Sequence, residues 1–171
     1  MVTELRRLRF DDVNAHNAGE DDATVRWLTG GRGTVTSTAA HFERLARNAE
    51  SGQGAQGFGV WVDGRLAGYV DCDPDVNDGL GSGDVNITYG VHQWARGVGV
   101  ASEAVRLICD FIRGNEFGSC AVIRVDPDNR ASVRVAEKCG FALVRNFVSA
   151  TDKHPDGSAA VLALYRLKLR P

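Results

Sequence analysis

The chain has 171 residues, enough for one domain with a substantial core, and its 43% hydrophobic and 25% charged content is ordinary for a globular protein. The formal net charge is −2, which gives no indication of general nucleic-acid binding. No apolar run approaches the roughly 20 residues that span a bilayer, and the first residues, MVTELRRLRF, lack the apolar core of a signal peptide. We therefore expect a cytoplasmic protein that binds neither nucleic acid nor membrane.

The cysteines do not form a metal-binding pattern. None of the four lies in a C-x-x-C pair, and the four histidines stand apart from them in the sequence. Zinc sites use closely spaced ligands, so we expect no metal site. We expect small, mostly buried thiols in a reducing compartment instead, at Cys72, Cys109, Cys120 and Cys139.

The N-terminal third predicts one strand followed by helices. The segment TELRRLRF alternates weakly between apolar and polar residues, as in a strand exposed on one side. The polar region that follows predicts one or two short helices ending at Gly30 and Gly31. A clearer helix is predicted for TSTAAHFERLARNAESG, with Thr36 or Ser37 as its N-cap and Gly52 after its end.

A β-hairpin is predicted around Asp63-Gly64, since these residues tolerate the positive φ of a type I′ turn. Residues 58–62 and 65–71 are expected to pair antiparallel. The segment PDVNDGLGSG then predicts a loop, and DVNITYGVH a further strand.

The second half predicts two helices and three strands. Apolar residues recur at helical spacing from about Gly99 to Arg113. SCAVIRVD predicts a strand covered on both faces, NRASVRVAEKCG a helix that stops at Gly140, and FALVRNFVSAT and AAVLALYRLKL two closing strands. The order β-α-α-β-β-β-α-β-α-β-β predicts one mixed α/β domain over residues 1–171. The last strand is compatible with a monomer or a homodimer, because an apolar strand can lie inside one sheet or pair across two subunits.

The segment QWARGVGVASEA, residues 93–104, places two glycines at the start of a predicted helix. The first N–H groups of a helix have no internal partners, the helix dipole is positive there, and glycine allows an anion close to the backbone. The loop can therefore bind phosphate oxygens through its N–H groups, with Arg96 adding a charged contact. A plain strand-to-helix connection is the alternative, because two glycines alone are a weak signal. The N–H groups belong to Gly97, Val98, Gly99, Val100 and Ala101.

Two segments together resemble the GNAT acetyltransferases. Residues 96–101 read R-x-x-G-x-A, similar to the acyl-CoA pyrophosphate loop of that family, and NRASVRVAEKCGF resembles the N-x-x-S…EK-x-GF segment of its RimJ/RimL-like branch. The resemblance is close over residues 85–147. It implies a mixed sheet of about six to seven strands with a splayed central strand pair, flanked by about four helices. The matching residues of the second segment are Asn129, Ser132, Glu137, Lys138, Gly140 and Phe141.

The resemblance also implies an activity. Members of the family transfer an acetyl group directly from acetyl-CoA to a primary amine, with no metal and no covalent enzyme intermediate. The pyrophosphate is expected on loop 96–101, and the pantetheine on the backbone of Tyr89, Gly90 and Val91. Asn129 is expected to contact the pantetheine arm, and Ser132 to face the sulfur.

The acid that protonates the leaving thiolate has two alternatives. The tyrosine that many family members carry corresponds here to Ala136, so the resemblance implies Ser132 as the RimJ/RimL-type substitute. A thiol with a pKa of about 8–9 is also a good leaving group without a dedicated acid. Tyr89 is expected to hydrogen-bond the substrate.

The base has several candidates. RimJ/RimL-like proteins often carry a glutamate where this chain has Asn86, and an amide cannot accept the proton. Asp84, Asp71, Asp73 or an ordered water are the alternatives. We favour Asp84, because it lies in the same predicted strand as Asn86.

The acceptor side is acidic. No Lys or Arg lies between Arg65 and Arg96, a stretch that is either a solvated acidic loop or a rim that attracts a cationic substrate. Trp27 is expected to wall the pocket or to pack in the core. The pattern favours a small polycationic amine, such as an aminoglycoside or a basic peptide antibiotic, in resistance or detoxification. The alternatives are the N-terminal amine of a protein and a non-catalytic acyl-CoA-binding regulatory module. The acidic residues are Asp71, Asp73, Asp75, Asp78 and Asp84.

Overall fold

The structure, a computed structural model, describes residues 1–169. It has a seven-stranded mixed sheet with five helices, in the predicted order of elements. The last two residues of the predicted domain lie outside the described range. The strands are β1 (Thr3–Arg6), β2 (Gln56–Val62), β3 (Arg65–Asp73), β4 (Asp84–Val91), β5 (Cys120–Val125), β6 (Ala142–Lys153) and β7 (Ala159–Lys168). The helices are α1 (Val13–Ala18), α2 (Asp22–Thr24, continued by a π-helical segment, Val25–Thr29), α3 (Val35–Ser51), α4 (Val100–Gly114) and α5 (Arg130–Lys138).

The sheet has the strand order β1-β2-β3-β4-β5-β7-β6. The Asp63-Gly64 hairpin joins β2 to β3 as predicted, with φ angles of 47° and 82° at its two residues. Strand β7 lies between β5 and β6, so the apolar segment AAVLALY is an interior strand of this sheet.

The two faces of the sheet are covered by different helices. Side chains alternate along each strand, and Val85 and Ile87 of β4 join the large core that also contains α4. On the opposite face, Tyr69 of β3 packs with Phe42 and Leu45 of α3 in a smaller cluster. Residues 69, 71, 86 and 88 therefore face the N-terminal helices.

The two central strands separate, as predicted. Strands β4 and β5 run parallel and pair only where Asp84–Asn86 lies beside Cys120–Val122. Beyond Asn86, β4 pairs with β3 alone among the described strands. The edge of Ile87–Val91 that faces β5 is therefore free of ladder partners in the described chain.

Helix α3 begins earlier than predicted. Thr34 is its N-cap, because the Thr34 hydroxyl accepts a hydrogen bond from the Ser37 amide at 3.1 Å and Ser37 Oγ accepts one from the Thr34 amide at 2.9 Å. The expected cap at Thr36 or Ser37 was wrong, since both lie inside the first turn of a capping box. Gly52 follows the helix with a φ of 67°, as predicted. None of the helices in residues 1–169 is long and apolar enough to cross a membrane.

Candidate active site

The glycine loop before α4 is open and polar. Gly97 and Gly99 have φ angles of 80° and 95°, and a Cβ added at either position would meet no atom within 4 Å. Gly99 is the N-cap of α4, and none of the N–H groups of residues 97–101 donates a hydrogen bond to a described residue. A run of free amides at the positive end of a 15-residue helix fits a diphosphate.

Arg96 does not extend this row of donors. Its guanidinium donates to both carboxylate oxygens of Asp21, at 2.6 and 2.9 Å, and its Nε donates to the Val91 carbonyl at 2.8 Å. The hydrogen bonds from Arg96 hold the pKa of Asp21 well below its usual value. The guanidinium expected at the phosphate is thus held by an ion pair with the N-terminal helical region in this structure.

Tyr89 and Ser132, both expected in the site, lie together in the gap between β4 and α5. The Tyr89 hydroxyl is 2.7 Å from Ser132 Oγ, and burial raises the pKa of Tyr89 to about 12. Asn129 is the N-cap of α5, since its side chain accepts a hydrogen bond from the Ser132 amide at 3.2 Å. These contacts fix a pair of hydroxyl groups beside the free edge of β4.

A cavity of about 420 Å³ lies on the other face of β4. Helices α1–α3 form one wall, and β3, β4 and His92 form the other. Thr88 and Gly90 of β4 line it, together with Tyr69 and Asp71 of β3. The same stretch of β4 thus borders both the splay and the cavity.

Asp71 is the acidic group of β3 in this cavity. Its Oδ2 accepts a hydrogen bond from the Tyr69 hydroxyl at 2.6 Å, and its Oδ1 is inaccessible to solvent. Burial raises the pKa of Asp71 to about 6, while hydrogen bonding from Tyr69 and from the hydroxyl and amide of Thr88 acts in the opposite direction. At neutral pH the carboxylate is ionised, yet its pKa lies close to the working pH, as general bases require.

The other expected carboxylates lie elsewhere. Asp84 is buried at the start of β4 and binds Arg166 at 2.6 Å, so its contacts do not support the role of base. Asp78 binds Arg124 at 2.6 Å, and Asp73 accepts a hydrogen bond from the Asp75 amide. The structure does not gather the five aspartates into one acidic rim.

Trp27 is outside the cavity lining as well. It is partly buried, with the Arg26 guanidinium 4.3 Å from its ring centre, whereas the next residue, Leu28, lines the cavity. The pocket wall expected of Trp27 is supplied by its neighbour Leu28, since successive side chains of a helical segment point in different directions.

The cavity is also lined by three histidines that the sequence analysis did not indicate, His16, His41 and His92. Burial lowers the pKa values of His16 and His92 to about 4 and also lowers that of His41. All three are therefore neutral at pH 7. They come from α1, α3 and the end of β4, and no sequence spacing relates them. In the described residues no three His, Cys, Asp or Glu side chains are grouped to hold a metal ion.

Comparison with known proteins identifies the family. The family model described as "Acetyltransferase (GNAT) domain" matches residues 3–142. Mycobacterium smegmatis RimJ, solved in complex with CoA-disulfide, superposes with a TM-score of 0.82 at 23% identity, over 98% of this chain and 82% of that chain. No curated protein matches the sequence significantly.

Two further solved structures share the fold. An acetyltransferase from Salmonella typhimurium, described as modifying the N-terminal serine of ribosomal protein L7/L12, gives a TM-score of 0.81 at 18% identity and covers 98% of this chain and 95% of that chain. Aminoglycoside acetyltransferase AAC(6')-Ib in complex with coenzyme A gives 0.74 at 18% identity, with the same coverage. Because the family model spans most of its length, this chain belongs to the GNAT acetyltransferase family.

Proposed function

We propose that this protein uses acetyl-CoA to acetylate a primary amine that binds beside Asp71. The observation that carries the proposal is the position of residues 88–91 of β4. Their backbone has a free edge toward β5, and the side-chain face of Thr88 and Gly90 borders the cavity. A thioester bound along the free edge of this segment would lie next to an amine bound in the cavity.

The residues present fit acetyl-CoA. The N–H groups of residues 97–101 would hold its diphosphate, and the backbone of Tyr89 and Gly90 would hold its pantetheine arm. Bound there, acetyl-CoA supplies an activated acetyl thioester. The protein residues then orient the two reactants and handle the protons.

Asp71 is the best-supported base. Position 86, which holds glutamate in many RimJ/RimL-like proteins, is Asn86 here, and its amide donates to Thr88 Oγ1 at 3.1 Å. Asp71 lies opposite Thr88 on the neighbouring strand. Asp73 is the β3 residue directly opposite Asn86, but Asp71, two residues along on the same face, is the carboxylate that lines the cavity.

The proton balance follows from this placement. Asp71 would take one proton of the ammonium group, and the amine nitrogen would bond to the acetyl carbon as the carbon–sulfur bond breaks. The hydroxyl pair of Tyr89 and Ser132 would donate a proton to the sulfur. The second N–H proton lost by the amine would pass to water, from which the hydroxyl pair regains its own proton. No metal is required for these steps.

The acceptor is a single ammonium group. The preference for a polycation rested on five aspartates, of which Asp71 alone lines the cavity in the described chain. Glu20 also lines it and accepts a hydrogen bond from the Gly33 amide at 2.6 Å, but Arg32 in the same lining carries the opposite charge. With Glu20 offset by Arg32 and the imidazoles neutral, Asp71 leaves the cavity a single net negative charge. This charge suits a monoamine such as a peptide N-terminus better than an aminoglycoside.

A thiol-release assay tests the proposal. Purified protein is incubated with acetyl-CoA and, separately, with peptides bearing a free N-terminus, N-terminally blocked peptides and aminoglycosides. We expect release of free thiol with the free peptides alone. Turnover with aminoglycosides would favour the polycationic acceptor, and tight CoA binding with no turnover on any amine would indicate a non-catalytic module.

A further inference from the structure

A chain of hydrogen bonds runs from Arg44 and His41 of α3 through Tyr69 of β3 to the carboxylate of Asp71; we call it the donor row. Resting on the function proposed above, we infer that Arg44, His41 and Tyr69 position Asp71 and leave one of its oxygens for the acceptor amine. The three residues are positioning residues, because they act through Asp71 and not on the reacting atoms.

The direction of each hydrogen bond follows from Arg44. A guanidinium has donors and no acceptor, and Arg44 Nη2 lies 2.7 Å from His41 Nδ1, which must therefore accept. Burial and the charge of Arg44 lower the pKa of His41, so the ring is neutral and carries its proton on Nε2. That proton points to the Tyr69 oxygen at 3.2 Å.

Tyr69 completes the row. Its oxygen accepts from His41, so its own proton is directed to Asp71 Oδ2, at 2.6 Å. Burial, followed by the charge of Asp71, raises the pKa of Tyr69 well above its usual value, which keeps this proton on the phenol. A fixed cation, a neutral imidazole and a phenol thus stabilise the ionised form of Asp71.

The second oxygen of Asp71 is left for a ligand. Oδ1 is buried and has no hydrogen-bond partner within 3.5 Å among residues 1–169, although the Thr88 hydroxyl and amide are near enough to lower the pKa of Asp71. A buried carboxylate oxygen without a donor is costly, and an ammonium N–H in the cavity would supply the donor. The donor row therefore sets which oxygen meets the amine.

Several other titratable groups line the same cavity as Asp71, namely His16, Glu20, Arg32 and His92. The hydroxyl and amide of Thr88 on β4 lower the pKa of Asp71, and Asp73 on its own strand raises it. His16 of α1 packs edge-on against the Tyr69 ring, with 5.9 Å between ring centres. His16 is neutral at pH 7, so it adds no positive charge beside the carboxylate.

The test is the pKa of Asp71 itself, measured by carboxyl ¹³C NMR on the free protein. We expect Tyr69→Phe to raise this pKa by about one unit, since it removes one hydrogen bond to a charged group. Arg44→Gln, at an exposed position, should raise it by a smaller amount, and Arg47→Gln, exposed one turn away, should leave it unchanged.

Activity is a second and separate readout. In the wild-type enzyme the acid limb of kcat/KM should follow the NMR value, and in Tyr69→Phe both should move to higher pH. An unchanged Asp71 pKa in both Tyr69→Phe and Arg44→Gln would overturn the inference, whether or not the protein acetylates any amine. Absence of turnover in the wild type would overturn the proposed function alone.

Discussion

The guanidinium of Arg96 binds both carboxylate oxygens of Asp21, which precedes it by 75 residues. Asp21 also caps α2, since its side chain accepts a hydrogen bond from the Thr24 amide at 3.0 Å. Thr24 lines the cavity, and Arg96 opens the glycine loop. One ion pair therefore joins the cavity wall to the glycine loop.

Asp21→Asn tests the purpose of this ion pair. Asparagine keeps the helix cap and removes the charge, so we expect the KM of the acceptor to rise about three- to tenfold. The pair is partly exposed, so the loss in unfolding free energy should stay below about 1 kcal/mol. Steady-state kinetics and denaturant unfolding measure both quantities.

The same variant shows whether the ion pair of Arg96 with Asp21 matters for CoA binding or only for the cavity wall. CoA affinity, measured by calorimetry, should change less than about twofold if backbone amides carry the diphosphate. The matched control is Asp22→Asn, which removes a fully exposed partner of Arg32. A tenfold change in CoA affinity in Asp21→Asn alone would show that the ion pair organises the cofactor loop.

The glycine loop predicts a charge-specific loss of CoA binding. Gly99→Asp and Gly99→Asn add side chains of nearly equal size, and both residues tolerate a positive φ better than other side chains. We expect the aspartate to weaken CoA binding by about 100-fold or more, because its charge opposes a diphosphate at short range. Asparagine should cost less than about tenfold.

Calorimetric titration with CoA distinguishes the two variants, and circular dichroism confirms that both fold. Equal affinities in Gly99→Asp and Gly99→Asn would show that no phosphate lies at this end of α4. The placement of the cofactor would then be wrong, whatever the activity of the wild-type protein.

Asp71 predicts the pH dependence of the reaction. Its pKa is raised to about 6, so the reactive carboxylate is mostly present at pH 7 and falls tenfold per unit well below pH 6. We expect kcat/KM to decline on acidification with an apparent pKa near 6. Asp71→Asn should lower kcat by about 10²- to 10⁴-fold and leave CoA affinity unchanged.

The neighbouring Asp73→Asn is the control for Asp71→Asn. It removes the same charge from the same strand, but Asp73 does not line the cavity. Its kcat should stay within about twofold of the wild type. A comparable loss of kcat in both variants would indicate a general electrostatic effect and would argue against Asp71 as the base.

Replacing Asp84 is expected to lower the stability of the protein and to leave its turnover nearly unchanged. Its side chain is 2% exposed and its partner Arg166 is 37% exposed. Asp84→Asn leaves the guanidinium partly solvated, so we expect a loss of about 1–3 kcal/mol in unfolding free energy with kcat nearly unchanged. Chemical denaturation and the thiol-release assay together check this, and a large loss of kcat in a stable variant would return Asp84 to the site.

The fold was predictable from local patterns, and some residues of the proposed site were named from the sequence. The Asp63-Gly64 turn, the helical spacing of α4 and the R-x-x-G-x-A loop are short-range features, which the sequence displays directly. Tyr89 and Ser132 were named through a family motif, and the structure joins their hydroxyl groups at 2.7 Å.

The choice between Asp71 and Asp84 as the proposed base was not predictable in the same way. Asp71 and Asp84 are both aspartates at strand positions, and their difference depends on distant partners. Arg166, 82 residues later, neutralises Asp84, whereas Tyr69 and the N-terminal helices enclose Asp71. Which carboxylate keeps a free oxygen is a property of tertiary packing, and His41 entered the site for the same reason.

The wall of the cavity predicts a steric effect at Gly19. Its φ is −84°, which any residue adopts, but an added Cβ would lie 2.1 Å from Nε2 of the His92 ring, and His92 is 8% exposed. Gly19→Ala should therefore cost about 1–3 kcal/mol, because His92 must move within a packed wall. For a chain of this size, the melting temperature should fall by about 2–8 °C.

Gly31→Ala is the matched control, since Gly31 also lines the cavity and an added Cβ there would meet no atom within 4 Å. We expect it to be neutral or slightly stabilising, because alanine lowers the entropy of the unfolded chain. Thermal unfolding of both variants, with acceptor kinetics, measures the contrast. Equal melting temperatures would mean that the His92 ring moves aside at little cost in free energy, although it is buried.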